Sequence, residues 1–160
     1  SYEKSTSASK KKGGGVLLDL SHEIDYLMYL FGDVHHYFSQ NLKLSNLKIN
    51  TDDYFFLYGK IKKGGLFTIH LNYFGKAPIR QLFIETEKRT INLDLLNSKM
   101  VFNYINKKSK TLKNFYSIEN TYVDQHKAII AKDYKKICTL KEGLKIMDLI
   151  QQIRNFSTNE

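Results

Sequence analysis

Between Val34 and Tyr104 the chain is written in period two. Runs 34–44, 53–62, 66–75, 79–87, 90–95 and 99–105 are rich in β-branched and aromatic residues and are separated by turn signals. Such residues suit a pleated surface, so each run predicts a strand. In the third run Phe67, Ile69, Leu71 and Tyr73 alternate with Thr68, His70, Asn72 and Phe74. Strand side chains point alternately to opposite faces, so both faces of this strand carry bulk. Lys62-Lys63-Gly64-Gly65 reads as a hairpin turn. The only proline, Pro78, falls between runs, where its missing N–H costs no ladder bond.

Helical signals flank this block. Leu17, Leu20, Ile24, Leu27, Met28 and Phe31 form one apolar stripe at helical period, and Gly32 stands where a glycine ends a helix. Residues 106–114 are basic and read as a loop. The spacing then predicts a helix over about 121–137, with Val123, Ile129, Ile130, Tyr134 and Ile137 as its apolar members. A further helix starts at Thr139. Glu142, three residues on, completes a capping box, and Leu144, Met147, Leu149, Ile150 and Ile153 continue the pattern. Helix, strands, helices is the order of an α+β fold: a mostly antiparallel open sheet of about six strands with helices on one face. The bulk on the second face predicts an interface, because large exposed apolar patches mark association.

Composition narrows the class. At 160 residues, with 42% apolar and 26% charged, the chain fits one globular domain rather than a disordered segment. The single cysteine, Cys138, excludes an internal disulfide and a cysteine-based zinc site, and reads as a small buried apolar residue. His35, His36, His70 and His126 lack metal-ligand spacing, so no metal is expected. No apolar run reaches the roughly 20 residues of a membrane span. The polar opening, residues 1–12, is no secretory signal, so a cytoplasmic setting is the expectation. Those twelve residues, rich in Ser and Lys, read as a flexible arm or inter-domain linker before a folded domain over 13–160. The start at Ser1, without Met, suggests a piece of something longer. The net charge of +9 has three readings. Lys10–Lys12, Lys107, Lys108, Lys110 and Lys113 form a nucleic-acid footprint, a solvated surface, or an attraction for an anionic substrate. No recognition helix or RNA-binding motif accompanies them, which disfavours nucleic acid.

The stretch GGGVLLDLSHEIDYLMYLFG, residues 13–32, resembles the opening of the C-terminal domain of the Gfo/Idh/MocA oxidoreductases. The matching positions are Gly13, Gly14, Gly15, Asp19, His22, Asp25 and Phe31-Gly32. PIRQLFIETEKRTINLDL, residues 78–95, is similar to the family's strand pair, and ICTLKEGLKIMDLIQQI, residues 137–153, to its closing helix. The resemblance implies the substrate-binding and oligomerisation domain of an NAD(P)-dependent dehydrogenase acting on a sugar or sugar derivative. It also implies pairing of subunits, as a homodimer, through the open sheet face. The family's nucleotide-binding half opens with a strand and a G-x-G-x-x-G turn, and Gly13–Gly15 do not fit that pattern. NAD or NADP is therefore expected to be held by another part of the parent enzyme. Glu87-Lys88 is followed by Arg89 rather than proline, so it is not assigned the family's catalytic lysine.

Oxidising a secondary alcohol needs a group to take the hydroxyl proton, and histidine titrates near neutral pH. His22 is the candidate acid/base. Asp19, read as its neighbour at i, i+3 on one helix, is the candidate to orient it or to bind a substrate hydroxyl. Tyr26, Asp25, Gly14 and Gly15 are the candidate substrate contacts, the glycines by allowing close backbone approach. Asp19, His22, Glu23 and Asp25 also read as the solvated face of an amphipathic helix, and the glycine triplet as a hinge. A stand-alone, non-catalytic binding or scaffold domain is the alternative reading.

Overall fold

A computed structural model describes residue 3 and residues 5–114 and 116–157. The element order is α1 (Val16–Asp19), α2 (His22–Phe31), β1 (Val34–Leu42), β2 (Tyr54–Ile61), β3 (Leu66–Asn72), β4 (Gln81–Thr86), β5 (Arg89–Asp94), β6 (Lys99–Tyr104), β7 (Lys107–Lys113), α3 (Ile118–Ile130) and α4 (Leu140–Ser157). Two compact units result. One joins the described residues up to Gly75 with those from Thr139, and the other is Lys76–Cys138.

The first unit is built on the antiparallel sheet β1-β2-β3. Period two puts Phe55, Leu57, Gly59 and Ile61 of β2 on one side, and all four are buried. Val16 and Leu17 of α1, Ile24 and Leu27 of α2, and Ile146, Leu149, Ile150 and Ile153 of α4 join them in one core. The apolar stripe of the first helical segment is thus the buried one. The other side of β2 carries Tyr54, Phe56 and Tyr58. In register with them are Leu42, Gln40 and Phe38 of β1, and Asn72, His70 and Thr68 of β3. Phe38 keeps 49% of its surface exposed and Tyr58 39%.

Asp53 fastens this unit. The residue is fully buried. Its carboxylate accepts from Lys43 Nζ at 2.8 Å, from the backbone N–H of Leu44 at 2.7 Å and of Ser45 at 3.1 Å, and from the Ser45 hydroxyl. Its backbone N–H donates to Leu42 O and its carbonyl accepts from Tyr73 N. Burial raises the pKa of such a group, but here the bonds from Lys43, Ser45 and Leu44 outweigh it and hold the pKa at about 2. Ahead of α1, residues 5–12 of the expected arm form two 3-10 turns, Thr6–Ala8 and Lys10–Lys12. Thr51 Oγ1 donates to Ser7 O at 3.0 Å and Asn50 N to Ala8 O at 3.2 Å. Residues 1, 2 and 4 of that arm lie outside the described residues.

The second unit holds the antiparallel sheet β4-β5-β6-β7 and α3. Leu82, Leu93, Met100 and Leu112 lie in one cross-strand row, and Ile84, Ile91 and Phe102 in the next. Ser117 caps α3, its hydroxyl accepting from Asn120 N at 3.2 Å.

The antiparallel α+β class holds, and the details differ in five places. The strands form two sheets of three and four strands rather than one of about six. The basic stretch 106–114 is not a loop but carries β7, all of it exposed. Lysines suit the edge of a sheet, where charge discourages pairing with another chain. The stripe from Leu17 to Phe31 is carried by two helices, since Leu20 leaves helical geometry at φ −105°, ψ 23°. The helix expected over 121–137 runs from Ile118 to Ile130, and Val123, Ile129, Ile130 and Tyr134 are exposed. Cys138 is exposed, because the chain before Thr139 is irregular there rather than packed between helices. The capping box is as expected: the Glu142 carboxylate accepts from Thr139 N and Oγ1, both at 2.7 Å, and Glu142 N donates to Thr139 Oγ1 at 3.3 Å.

The Asp53 carboxylate sets a pH dependence. Its pKa falls from 3.8 to about 2 on folding, so its contribution is complete above the unfolded value and is lost as pH drops through the folded one. That shift corresponds to about 2 kcal/mol. Asp53→Asn is expected to lower stability at pH 7 by at least about that amount and to flatten the loss between pH 4 and pH 2. Urea unfolding at both pH values measures it.

Candidate functional site

The helical break at Leu20 decides how the expected site residues meet. Asp19 is the last residue of α1 and His22 the first of α2. On one unbroken helix the two would be neighbours at i, i+3. Instead each has its own partner. Asp19 Oδ2 accepts from the Tyr73 hydroxyl at 2.7 Å. His22 Nε2 lies 3.1 Å from Glu23 Oε1, with the imidazole 48% exposed and the glutamate 8%. No ion pair joins Asp19 to His22 among the described residues. The carboxylate placed to orient the imidazole is therefore that of Glu23, and it is buried, where a charged partner matters most.

Tyr73 follows β3 and is 7% exposed, its backbone held by Asp53 O at 3.0 Å. Its hydroxyl sits where a buried phenol needs a partner, and Asp19 supplies it. Asp25 and Tyr26 on α2 are half-buried. In the sequence Tyr73 is marked only as a strand residue, and Glu23 only as part of a solvated face. A tyrosine on the core-facing register of a strand is a signal that some acceptor must meet it. Nothing local marks Glu23, since adjacent helix residues do not ordinarily face each other.

The glycines have packing reasons. A Cβ on Gly14 would lie 2.3 Å from Ser7 O and 2.7 Å from Thr6 O, both backbone atoms. Gly15 has φ +121°, and a Cβ there would meet the Asp52 carboxylate at 2.3 Å. Both glycines are buried. The framework differs from the parallel-sheet kind that holds a dinucleotide. Both sheets are antiparallel, whereas the dinucleotide crevice belongs to a parallel sheet with an open glycine turn. The Cβ positions of Gly14 and Gly15 are already blocked by this chain. Among the described residues no group of three or more His, Cys, Asp or Glu stands ready for a metal ion.

Residues 4–81 match the family model of the oxidoreductase family C-terminal alpha/beta domain. That stretch is similar to the C-terminal domain of the Gfo/Idh/MocA oxidoreductases. Solved structures are similar over most of the chain. UDP-N-acetylglucosamine 3-dehydrogenase GnnA from Acidithiobacillus ferrooxidans superposes with a TM-score of 0.72 at 15% identity, over 87% of this chain and 46% of that one. The WlbA dehydrogenase from Bordetella pertussis, in complex with NADH and UDP-GlcNAcA, gives 0.67 at 16% identity, over 91% and 46%. A super-repressor mutant of Gal80p from Saccharomyces cerevisiae gives 0.69 at 16% identity, over 97% and 51%. At these identities the likeness is one of fold, and the chain spans about half the length of these proteins. No curated protein matches the sequence. Among the described residues no helix is long and apolar enough to cross a membrane.

The glycine contacts separate a packing role from a hinge. Gly13 has open space around its Cβ position, whereas Gly14 does not. Gly14→Ala is expected to cost about 2–4 kcal/mol, as overpacking against rigid backbone does. Gly13→Ala, strained only by its φ of +77°, is expected to cost about 1 kcal/mol. Thermal unfolding of the two variants gives the order; equal losses would return the triplet to the hinge reading.

Proposed function

We propose that this chain forms the substrate-binding and oligomerisation part of an NAD(P)-dependent oxidoreductase acting on a sugar or sugar derivative. The observation that carries the reading is the exposed His22 imidazole backed by the buried Glu23 carboxylate, within the segment that matches the oxidoreductase family. His22 takes the proton from the substrate hydroxyl, and Glu23 stabilises the resulting cation. Asp19, held by Tyr73, offers its remaining carboxylate lone pairs to a second substrate hydroxyl. Asp25 and Tyr26 stand on the same helix as further substrate contacts. Gly14 and Gly15 serve the substrate indirectly, by letting the chain close onto residues 6–7 and Asp52. The dinucleotide is held by another part of the parent enzyme, and the 160-residue chain alone is inactive.

The WlbA dehydrogenase complex contains NADH and UDP-GlcNAcA, which supports the substrate class. The second reading, a non-catalytic binding or scaffold domain, is favoured by one observation, the fold likeness to the repressor Gal80p. In the enzyme reading, His22→Ala in the full-length parent lowers turnover by about 10²–10⁴-fold, the usual share of an acid/base group. Glu23→Gln lowers it less and shifts the pH profile. Unchanged turnover in His22→Ala removes His22 from the chemistry, and tight NADH binding to the isolated chain in calorimetry overturns the division of labour.

The face of Phe38, Phe56 and Tyr58 is the proposed homodimer surface. Phe56→Glu places a charge at the centre of that face, across from Gln40 and His70. Sedimentation velocity is expected to show a dimer for the unaltered chain and a folded monomer for the variant.

A further inference from the structure

A cleft of about 360 Å³ opens in the first unit; Gly14 lines it, whereas Asp19, His22, Tyr26 and Tyr73 do not. That volume is at the small end of the roughly 300–1,000 Å³ typical of ligand sites. Its apolar wall is Leu17, Leu18 and Ile49. Its polar walls are already fastened. Lys10 N donates to Asn50 Oδ1 at 2.9 Å, and Leu17 N donates to Asp52 Oδ2 at 3.1 Å. Together with the Thr51–Ser7 and Asn50–Ala8 bonds, these fix the rim without a ligand, so little ordering is left for binding to drive.

Two features of the lining ask for a partner. The first is charge. Lys10, Lys43 and Arg154 face one carboxylate, Asp52. Lys43 is committed to Asp53, which leaves the Lys10 ammonium, with the positive charge of Arg154 on the same wall. The second is Asn41 on β1. Its side-chain oxygen is buried and has no hydrogen-bond partner among the described residues, whereas buried polar atoms are nearly always satisfied. A hydroxyl both donates and accepts, so it satisfies a side-chain amide in either orientation.

We propose that this cleft binds a small hydroxylated anion, such as a sugar phosphate or a hydroxy acid. Lys10 takes the anionic group in the positive field to which Arg154 adds, Asn41 takes a hydroxyl, and Leu17, Leu18 and Ile49 pack against the carbon skeleton. The site is separate from His22 and does not depend on the oxidoreductase reading.

Calorimetric titration of the whole chain with glucose 6-phosphate, gluconate, inorganic phosphate and glucose tests it, with amide NMR shifts locating the contact. At least one of the two hydroxylated anions is expected to bind ten-fold or more tightly than phosphate or glucose, with shifts at Asn50 and Thr51. Which of the two binds identifies the anionic group as phosphate or carboxylate. Lys10→Gln, at an exposed turn, is expected to weaken that binding about ten-fold, and Asn41→Ala to erase the preference over phosphate. His22→Ala leaves the binding unchanged, which separates this site from the proposed catalytic one. Absence of binding by both hydroxylated anions, binding insensitive to Lys10→Gln, or shifts centred on α2 instead of the cleft would overturn the proposal.

Discussion

A single buried carboxylate organises the first unit. Asp53 has no solvent contact, yet it stays ionised because four donors from Lys43, Leu44 and Ser45 converge on it. An isolated charge in that position would be prohibitively costly, and removing part of the cluster leaves the rest uncompensated. The consequence reaches further than the loop it closes. The backbone of the same residue holds the end of β1 through Leu42 O and fixes Tyr73 beyond β3. Tyr73 in turn holds Asp19. A chain of contacts therefore runs from a structural anchor to the edge of the candidate site, and the geometry of Asp19 inherits its rigidity from a residue that touches no substrate.

The glycine triplet and Asp52 do comparable work on the other side of α1. Gly14 lets the backbone of residues 6–7 pass at contact distance, and Asp52 takes both the close approach of Gly15 and the N–H of Leu17. The short helix α1 is thus held at its start by backbone fit and at its end by the Asp19–Tyr73 bond. That double restraint is what permits a break at Leu20 without loss of order, and the break turns His22 toward Glu23 rather than Asp19. This turn of the chain lies within the segment that matches the family model.

How much of this was legible in the sequence depended on how local the determinants are. The capping box at Thr139 and Glu142 needs only four consecutive residues, and it formed as read. The alternation in β2 and β3 was equally direct, because period two survives any tertiary context. By contrast β7 is a strand whose composition, lysine after lysine, follows from its place at a sheet edge, and edge position is not written locally. The helix break at Leu20 depends on how α1 and α2 each pack into the core. The pairs that matter at the site, Asp19 with Tyr73 and Lys43 with Asp53, join segments separated by loops, so residue type alone pointed to Asp19 but not to its partner. The exposed Cys138 shows the same limit, for an apolar neighbourhood in sequence did not become one in space.

The first unit is closed by both ends of the chain. Its core needs Val16 and Leu17 from one end and Ile150 and Ile153 from the other, while Lys76–Cys138 forms a unit of its own in between. During synthesis the sheet β1-β2-β3 leaves the ribosome long before α4 does. Until translation reaches α4, Phe55, Leu57 and Ile61 lack part of their cover, a state prone to aggregation or chaperone capture. The intervening unit meets the same interval with lysines along its exposed edge strand β7, where charge discourages pairing with another chain.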